Sequence, residues 1–322
     1  MSLSETIKAE ARSLGFDAVG ISCLPTQSNQ QAPHTNTLPA LFLARLRDWL
    51  SRNYQGTMAW MARDPSRRAD PRCVLPGCRS IISVGMNYLT EHRAHEQSGL
   101  GRIARYAWGK DYHHVLGGRL TQLESRIAAL SPGTMTRSYV DTGPIMEKAW
   151  AQQAGLGWIG KHSNLVSAQF GSWLLLGEIL TTLELDPDEP AADLCGSCSL
   201  CIKACPTSAI VEPYVVDARR CVSYLTIEFR GEREAIPNEL AVKMGNRIFG
   251  CDDCLDVCPF NLRAEPTTEP AFTPNPLTLA PHLDQLEGIE EQAFTMTFKE
   301  SPIRRAKHAG FHRNIQIAMQ NR

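Results

Sequence analysis

Hydrophobic and polar residues alternate along the first 182 positions in two rhythms, one helical and one extended. A helical pattern opens behind Ser4, an N-cap candidate, runs to about Leu14 and is closed by Gly15; Phe16–Ser22 then alternates like a strand. Residues 25–39 carry no periodicity and predict a surface loop, followed by a helix from about Pro39 to Arg52. Further strands are predicted at Ser80–Leu89, Arg137–Asp141 and Ser172–Thr182, with helices at Tyr112–Leu130 and Ile145–Ala154 between them. Strands that alternate with helices predict an α/β (α+β) first domain.

From Leu183 to Asp193 the pattern gives way to acidic residues and proline, which predicts a linker and a domain boundary. Residues 195–258 hold a cysteine cluster, 264–282 are rich in Pro and Thr, and 300–322 read as basic, helical and amphipathic. The expected units are therefore 1–185, 186–263 and 264–322. A chain of 322 residues is long enough for about two domains.

Lys plus Arg number 33 against 34 Asp plus Glu, a net charge of −1 that excludes a uniformly basic nucleic-acid binder. Basic character is local. Residues 41–80 hold eight Arg against three acids, and 299–322 hold six Lys or Arg against one; such patches suit RNA phosphates or are solvated faces. No apolar run approaches the roughly 18 residues of a membrane span. The amino terminus lacks the basic and apolar blocks of a secretory peptide, so a cytoplasmic location is expected. In a reducing compartment, eleven cysteines point to ligands or nucleophiles before disulfides.

Their spacing carries the strongest chemical signal. Cys195, Cys198, Cys201 and Cys205 form C-x-x-C-x-x-C-x-x-x-C ahead of Pro206, and Cys251, Cys254 and Cys258 repeat a shortened form ahead of Pro259. Two-residue gaps let three thiolates converge on one cubane, while the fourth leaves toward a second cluster. Cys221 is the candidate for the missing ligand, which completes eight thiolates for two 4Fe-4S clusters. By analogy with two-cluster ferredoxins, cluster one takes Cys195, Cys198, Cys201 and Cys258, and cluster two takes Cys205, Cys221, Cys251 and Cys254. Structural zinc is the competing reading, but its paired cysteines are separated by a longer loop. Cys23, Cys73 and Cys78 lie outside the constellation and read as small buried hydrophobes.

Gly155-Leu156-Gly157-Trp158-Ile159-Gly160 matches a dinucleotide fingerprint in letters, yet it follows a helix and leads to a strand, the reverse of what that site needs. It remains a helix-ending turn or a close-approach loop whose Lys161 could reach a ligand. Val140-Asp141-Thr142-Gly143 lacks the second such motif an aspartic protease requires. Asp141, at the end of an apolar strand, is a candidate proton donor, with an N-cap role as the alternative. Asp111-Tyr112-His113-His114 with Gly117 is one residue too long for the Asp-x-His-x-x-Gly motif of cobalt ligation, and Asp111 reads as a helix cap.

Taken together, Arg68-x-x-Pro71, Leu75-Pro76-Gly77, Arg105-Tyr106-Ala107-x-Gly109-x-Asp111-Tyr112-His113, Tyr139-x-Asp141-Thr142-Gly143-Pro144, Gly155-Leu156-Gly157-Trp158-x-Gly160-Lys161, Gly171-Ser172-Trp173, Leu176-Gly177-Glu178 and the paired cysteine motifs span nearly the whole chain. This combination resembles the epoxyqueuosine reductase family. The resemblance implies a cobalamin-binding domain, a two-cluster bacterial ferredoxin-like domain, and a short helical, HEAT-repeat-like tail. It also implies reduction of epoxyqueuosine to queuosine at the tRNA wobble position, with electrons passing through two 4Fe-4S clusters to base-off cobalamin and Asp141 donating a proton.

On the same footing Arg68, Lys161, Ser223 and Arg230 are candidate cobalamin contacts, with a surface hydroxyl as the alternative for Ser223. The expected partners are tRNA carrying epoxyqueuosine and an external one-electron donor, with no membrane; the chain is expected to be a monomer. The basic Ser301–Asn314 stretch resembles a first helical repeat, expected to dock on the cluster domain. Competing readings are a reductive dehalogenase-like enzyme, a polyferredoxin-type electron carrier, and a tRNA-binding scaffold with structural clusters.

Overall fold

Ser80–Asn87 is buried at all eight positions, which only a central strand covered on both faces allows. It lies in a four-stranded sheet ordered Ala18–Cys23, Ser80–Asn87, Leu174–Thr181, Thr136–Tyr139. The computed structural model describes residues 2–24, 37–94 and 97–322. Every neighbouring pair in the sheet is antiparallel, so the mixed helix and strand architecture takes the α+β form. Among the described residues no helix is long and apolar enough to cross a membrane.

Helices Leu3–Ser13 and Tyr112–Leu130 cover one face, where Ile7, Leu116, Leu120 and Leu123 meet Ile21, Ile82 and Ile179. The other face packs against Glu147–Gln153 and Leu38–Ser51 through Trp150, Phe42, Ile81 and Leu180. Glu178 stands in that apolar strand with its Oε2 accepting the Ser83 hydroxyl at 2.8 Å, and burial pushes its carboxyl well up. The loop expected over 25–39 lies outside the described residues as far as 36. Its last part is corrected, because Thr37 already caps the Leu38–Ser51 helix by accepting the Ala40 N–H.

Two segments expected to be connectors are packed. The acidic stretch after Leu183 runs along the edge strand: the Asp188 N–H donates to the Ile21 carbonyl and its carboxylate accepts the Ile21 N–H, both at 2.8 Å, while Lys8 pairs with it at 2.7 Å. Its charges face donors on the first strand and helix, so acidic composition here marks a strap and not a free linker. The Pro-rich segment returns to the first half, burying Phe272 and donating the Thr278 hydroxyl to the Trp108 carbonyl at 2.6 Å. Gly109 permits this approach, since a Cβ there would meet the Ala271 oxygen at 2.3 Å.

The cysteine-bearing region is joined to the first half by Arg247–Phe249, which pairs in parallel with Arg102–Ile103. The last helix, Lys307–Gln320, docks on it as expected. Buried Arg313 donates to the Leu225, Phe229 and Gly231 carbonyls, and Asn314 donates to those of Thr226 and Ile248. The bonds to Leu225 and Thr226 satisfy carbonyls in the last turn of the Val222–Ile227 helix.

Candidate functional site

Asp141 leaves the edge strand in a left-handed conformation, φ +56°, which Asp tolerates better than most residues. Gly143 lets the loop fold back, because a Cβ there would lie 2.4 Å from the Tyr139 ring. The turn aims the Asp141 carboxylate at the start of the Tyr112–Leu130 helix, where Oδ2 accepts the Tyr112 hydroxyl at 3.0 Å and faces His113 Nε2 at 3.6 Å. Its own N–H donates to Glu147 Oε1 at 2.6 Å. The N-cap alternative is set aside, since Met146 holds the cap position of the following helix and makes no side-chain cap bond.

Asp111 caps the Tyr112–Leu130 helix by accepting the His113 N–H at 3.0 Å, and the same oxygen meets His113 Nδ1 at 2.7 Å. One imidazole thus spans two carboxylates. Burial alone would lower its pKa, but Asp111 and Asp141 outweigh burial and lift it to about 9. In return, His113 holds the Asp141 carboxyl below the usual range against the opposing effect of burial. Burial first, and the Asp141 charge second, raise Glu147 to about 8. At neutral pH the protons beside Asp141 therefore sit on His113 and Glu147.

Asp141 is 63 % exposed because it borders a cavity of about 350 Å³. Tyr106, Tyr112 and Leu174–Leu176 supply its broad apolar walls; Ser172, Ser223 and Asn164 supply polar groups. The buried Ser172 Oγ has no partner in the protein, leaving a hydrogen bond for a ligand. Lys148 Nζ donates to the Ser163 carbonyl and Asn164 Oδ1, and its charge is felt by Asp141, Glu147, Cys221 and Cys254. Cys251 and Asp252 form the wall toward the cysteine region.

There, Cys254 feels the charges of Cys205, Cys221 and Cys251, and Cys201 feels those of Cys195 and Cys198. Burial pushes the thiols of Cys221, Cys251 and Cys254 up, so ionising them needs a compensating cation such as a cluster iron. The Ala209 N–H donates to Cys205 Sγ at 3.1 Å, and the Trp158 indole reaches Cys195 Sγ at 3.4 Å. These are the donors that sulfur carrying negative charge requires.

Residues 68–142 match the family model described as Epoxyqueuosine reductase QueG, DUF1730, and residues 194–261 match the 4Fe-4S double cluster binding domain. The chain is 46 % identical to the epoxyqueuosine reductase of Synechocystis over 86 % of its own length and 94 % of the relative's. It is 43 % identical to that of Escherichia coli, covering 99 % of this chain and 81 % of the other. It belongs to the epoxyqueuosine reductase family. Among solved structures, a selenomethionine-labelled epoxyqueuosine reductase superposes with a TM-score of 0.89 at 31 % identity, over 99 % of this chain and 81 % of that one. Another, with an epoxyqueuosine-modified tRNA-Tyr stem loop, superposes at 0.87 with the same identity and coverage.

This reductase is therefore an oxidoreductase whose cysteine region is a double 4Fe-4S domain. Of the residues singled out in the sequence, Asp141 and Ser223 line the cavity. Arg68 stacks 5.0 Å over Trp60 and feels the Glu147 charge, and it lies outside the cavity lining. Lys161 donates hydrogen bonds to the Gly196 and Cys198 carbonyls, so it braces the loop that carries Cys195 and Cys198. Arg230 donates to the Ile227, Arg305 and Ala306 carbonyls, joining the tail to the cluster region. Sequence reasoning missed Glu147 and Lys148 and gave His113 no role. The one available signal was Asp111-x-His113, a cap followed at i+2 by a second ring donor for the same carboxylate.

Proposed function

We propose that the chain reduces epoxyqueuosine to queuosine in tRNA, with Asp141 protonating the departing oxygen. The carrying observation is the Asp141, His113 and Glu147 group opening on a cavity that Cys251 also lines. The net reaction takes two electrons and two protons and yields water. His113 and Glu147 each hold a proton beside Asp141 at neutral pH, which matches that demand. A relative from Bacillus subtilis is described with its catalytic aspartate loop swung out of the active site; the strained turn at Asp141 is suited to such movement.

The aromatic and leucine walls, the unpartnered Ser172 Oγ and Ser223 fit a flat, largely apolar ring bearing polar substituents, and we assign them to cobalamin, with Arg68 at the rim. Cobalamin bound there would supply a strongly reducing cobalt. Tyr112 orients the Asp141 carboxyl, the Asp111–His113 pair reloads it, and the apolar walls exclude water from the reacting carbon. We assign Cys195, Cys198, Cys201 and Cys258 to one cluster and Cys205, Cys221, Cys251 and Cys254 to the other. Relatives at 41–46 % identity over nearly the full chain disfavour a dehalogenase-like reading. The proton-bearing cavity goes beyond what a pure electron carrier needs.

The test is anaerobic purification with iron, sulfide and cobalt measured together, then single turnover on tRNA carrying epoxyqueuosine with dithionite as reductant. Queuosine should form only in protein carrying both metals. Colourless, zinc-bearing protein, or full activity without cobalt, overturns the proposal.

A pH profile checks the proton assignment. Single-turnover rate should fall as pH rises through 8 to 9, where Glu147 and then His113 lose their protons. Glu147→Gln removes the lower step and leaves the limb near 9. A rate flat from pH 7 to 10 in the parent contradicts the assignment.

A further inference from the structure

The two clusters differ in what surrounds their ligands. Cys221, Cys251 and Cys254 are flanked by buried Val222, Gly250, Asp252 and Leu255. Cys195, Cys201 and Cys258 are each preceded by an exposed large apolar residue, Leu194, Leu200 and Val257, and Leu262 is 90 % exposed four residues beyond Cys258. The segments that carry them are linked: the helix of Leu200 packs on Asp253–Asp256, which Val257 follows, and Phe260, two residues before Leu262, sets its ring 4.7 Å from Trp158, whose indole reaches Cys195 beside Leu194.

Charges are interleaved with the leucines. Lys203 shares the short helix of Leu200 and Arg263 follows Leu262; both are exposed. The neighbouring carboxylates are engaged: Asp193 accepts the Tyr214 hydroxyl and the Cys195 N–H, and Asp256 pairs with Arg102 and Arg105. The face left to a partner is apolar with a cationic rim.

We infer that Leu194, Leu200, Val257 and Leu262, rimmed by Lys203 and Arg263, form the docking surface for an acidic one-electron carrier protein that feeds cluster one. This rests on the proposed function and on the assignment of Cys258 to cluster one. The location follows from what each side of the cluster region faces: Cys251 lines the reaction cavity, whereas Leu194, Leu200, Val257 and Leu262, next to the ligands on this side, face solvent. The size also fits. Electron-transfer encounters bury less than about 1,200 Å², which a few exposed side chains can nucleate, whereas a stable dimer needs more. Each docking oxidises one carrier by one electron and reduces the outer cluster by one. Two dockings with two protons convert one epoxide to queuosine and water.

The experiment compares parent holoenzyme with Leu200→Glu/Leu262→Glu and with Lys203→Glu/Arg263→Glu. Binding of a flavodoxin and of a small ferredoxin is measured by calorimetry, and turnover is measured with each reduced carrier and, separately, with dithionite. Both double variants should weaken carrier binding and sub-saturating carrier-driven turnover by roughly tenfold or more, as loss of central apolar anchors or complementary charge does. Dithionite-driven turnover and iron content should stay at parental values. The charge variant should also flatten the salt dependence of binding.

Unchanged carrier binding with intact dithionite activity overturns the docking assignment alone. Sedimentation showing that the parent is a dimer dispersed by the leucine substitutions also overturns it, in favour of a second copy. No dithionite turnover by metal-replete parent would instead defeat the proposed function.

Discussion

Asp141→Asn is expected to bind both metals at parental levels and to lose roughly 10²–10⁴-fold in the rate of queuosine formation, the usual worth of a positioned general acid. Asparagine adopts the left-handed backbone at least as readily as aspartate, so the φ of +56° is not a barrier to folding. Its amide oxygen can still accept the Tyr112 hydroxyl, and its N–H can still reach Glu147. What disappears is the carboxylate that can take a proton from His113 and pass it on, and with it the charge that His113 faces. The comparison with His113→Gln separates the two roles. If Asp141 delivers the proton and His113 reloads it, His113→Gln should slow turnover less at low pH, where solvent can protonate the carboxyl, and more as pH rises. Asp141→Asn should be slow at every pH. Parental turnover by a metal-replete Asp141→Asn protein would remove Asp141 from the chemistry.

That this residue was legible in the sequence, while its partners were not, follows from the distance over which each is defined. Asp141 stands at the end of an apolar strand before Gly143-Pro144, a pattern visible within four residues. His113 acquires its task only when the 140–143 loop folds across the start of a helix 29 residues earlier in the chain. Glu147 and Lys148 look like ordinary surface positions of an amphipathic helix; the cavity, not the helix pattern, gives them meaning. The Tyr112–Leu130 helix was readable end to end because its cap, Asp111, and its buried stripe at Leu116, Leu120, Leu123 and Ile127 agree. The acidic strap after Leu183 misled for the opposite reason: composition describes a segment, but its donors, Ser4, Lys8 and the Ile21 N–H, lie more than 160 residues away. Lys161 likewise stands beside a glycine-rich loop that invites a ligand, and its hydrogen bonds go to the Gly196 and Cys198 carbonyls.

The cluster partition makes the sharpest quantitative prediction, because pairs of cysteine substitutions give different iron contents according to which thiolates share a cluster. In Cys195→Ala/Cys258→Ala both losses should fall on one cluster, and the protein should retain about half of the parental iron and sulfide, since each cubane takes four thiolates. In Cys195→Ala/Cys254→Ala the losses should fall on both, leaving little of either. The basis on one side is that Cys254 feels the charges of Cys205, Cys221 and Cys251. On the other, Cys258 sits beyond the Asp253–Asp256 helix, which packs on the helix that carries Cys201. Cys78→Ala serves as the control: its thiol is buried in the apolar core of the first half, and iron should stay at the parental value. The surviving cluster in the first double variant should be the inner one, beside the cavity wall formed by Cys251, and so shielded from added oxidant. If the two double variants retain equal iron, or if the first retains none, Cys258 does not share a cluster with Cys195, and the direction of electron flow from the exposed face to the cavity has to be redrawn.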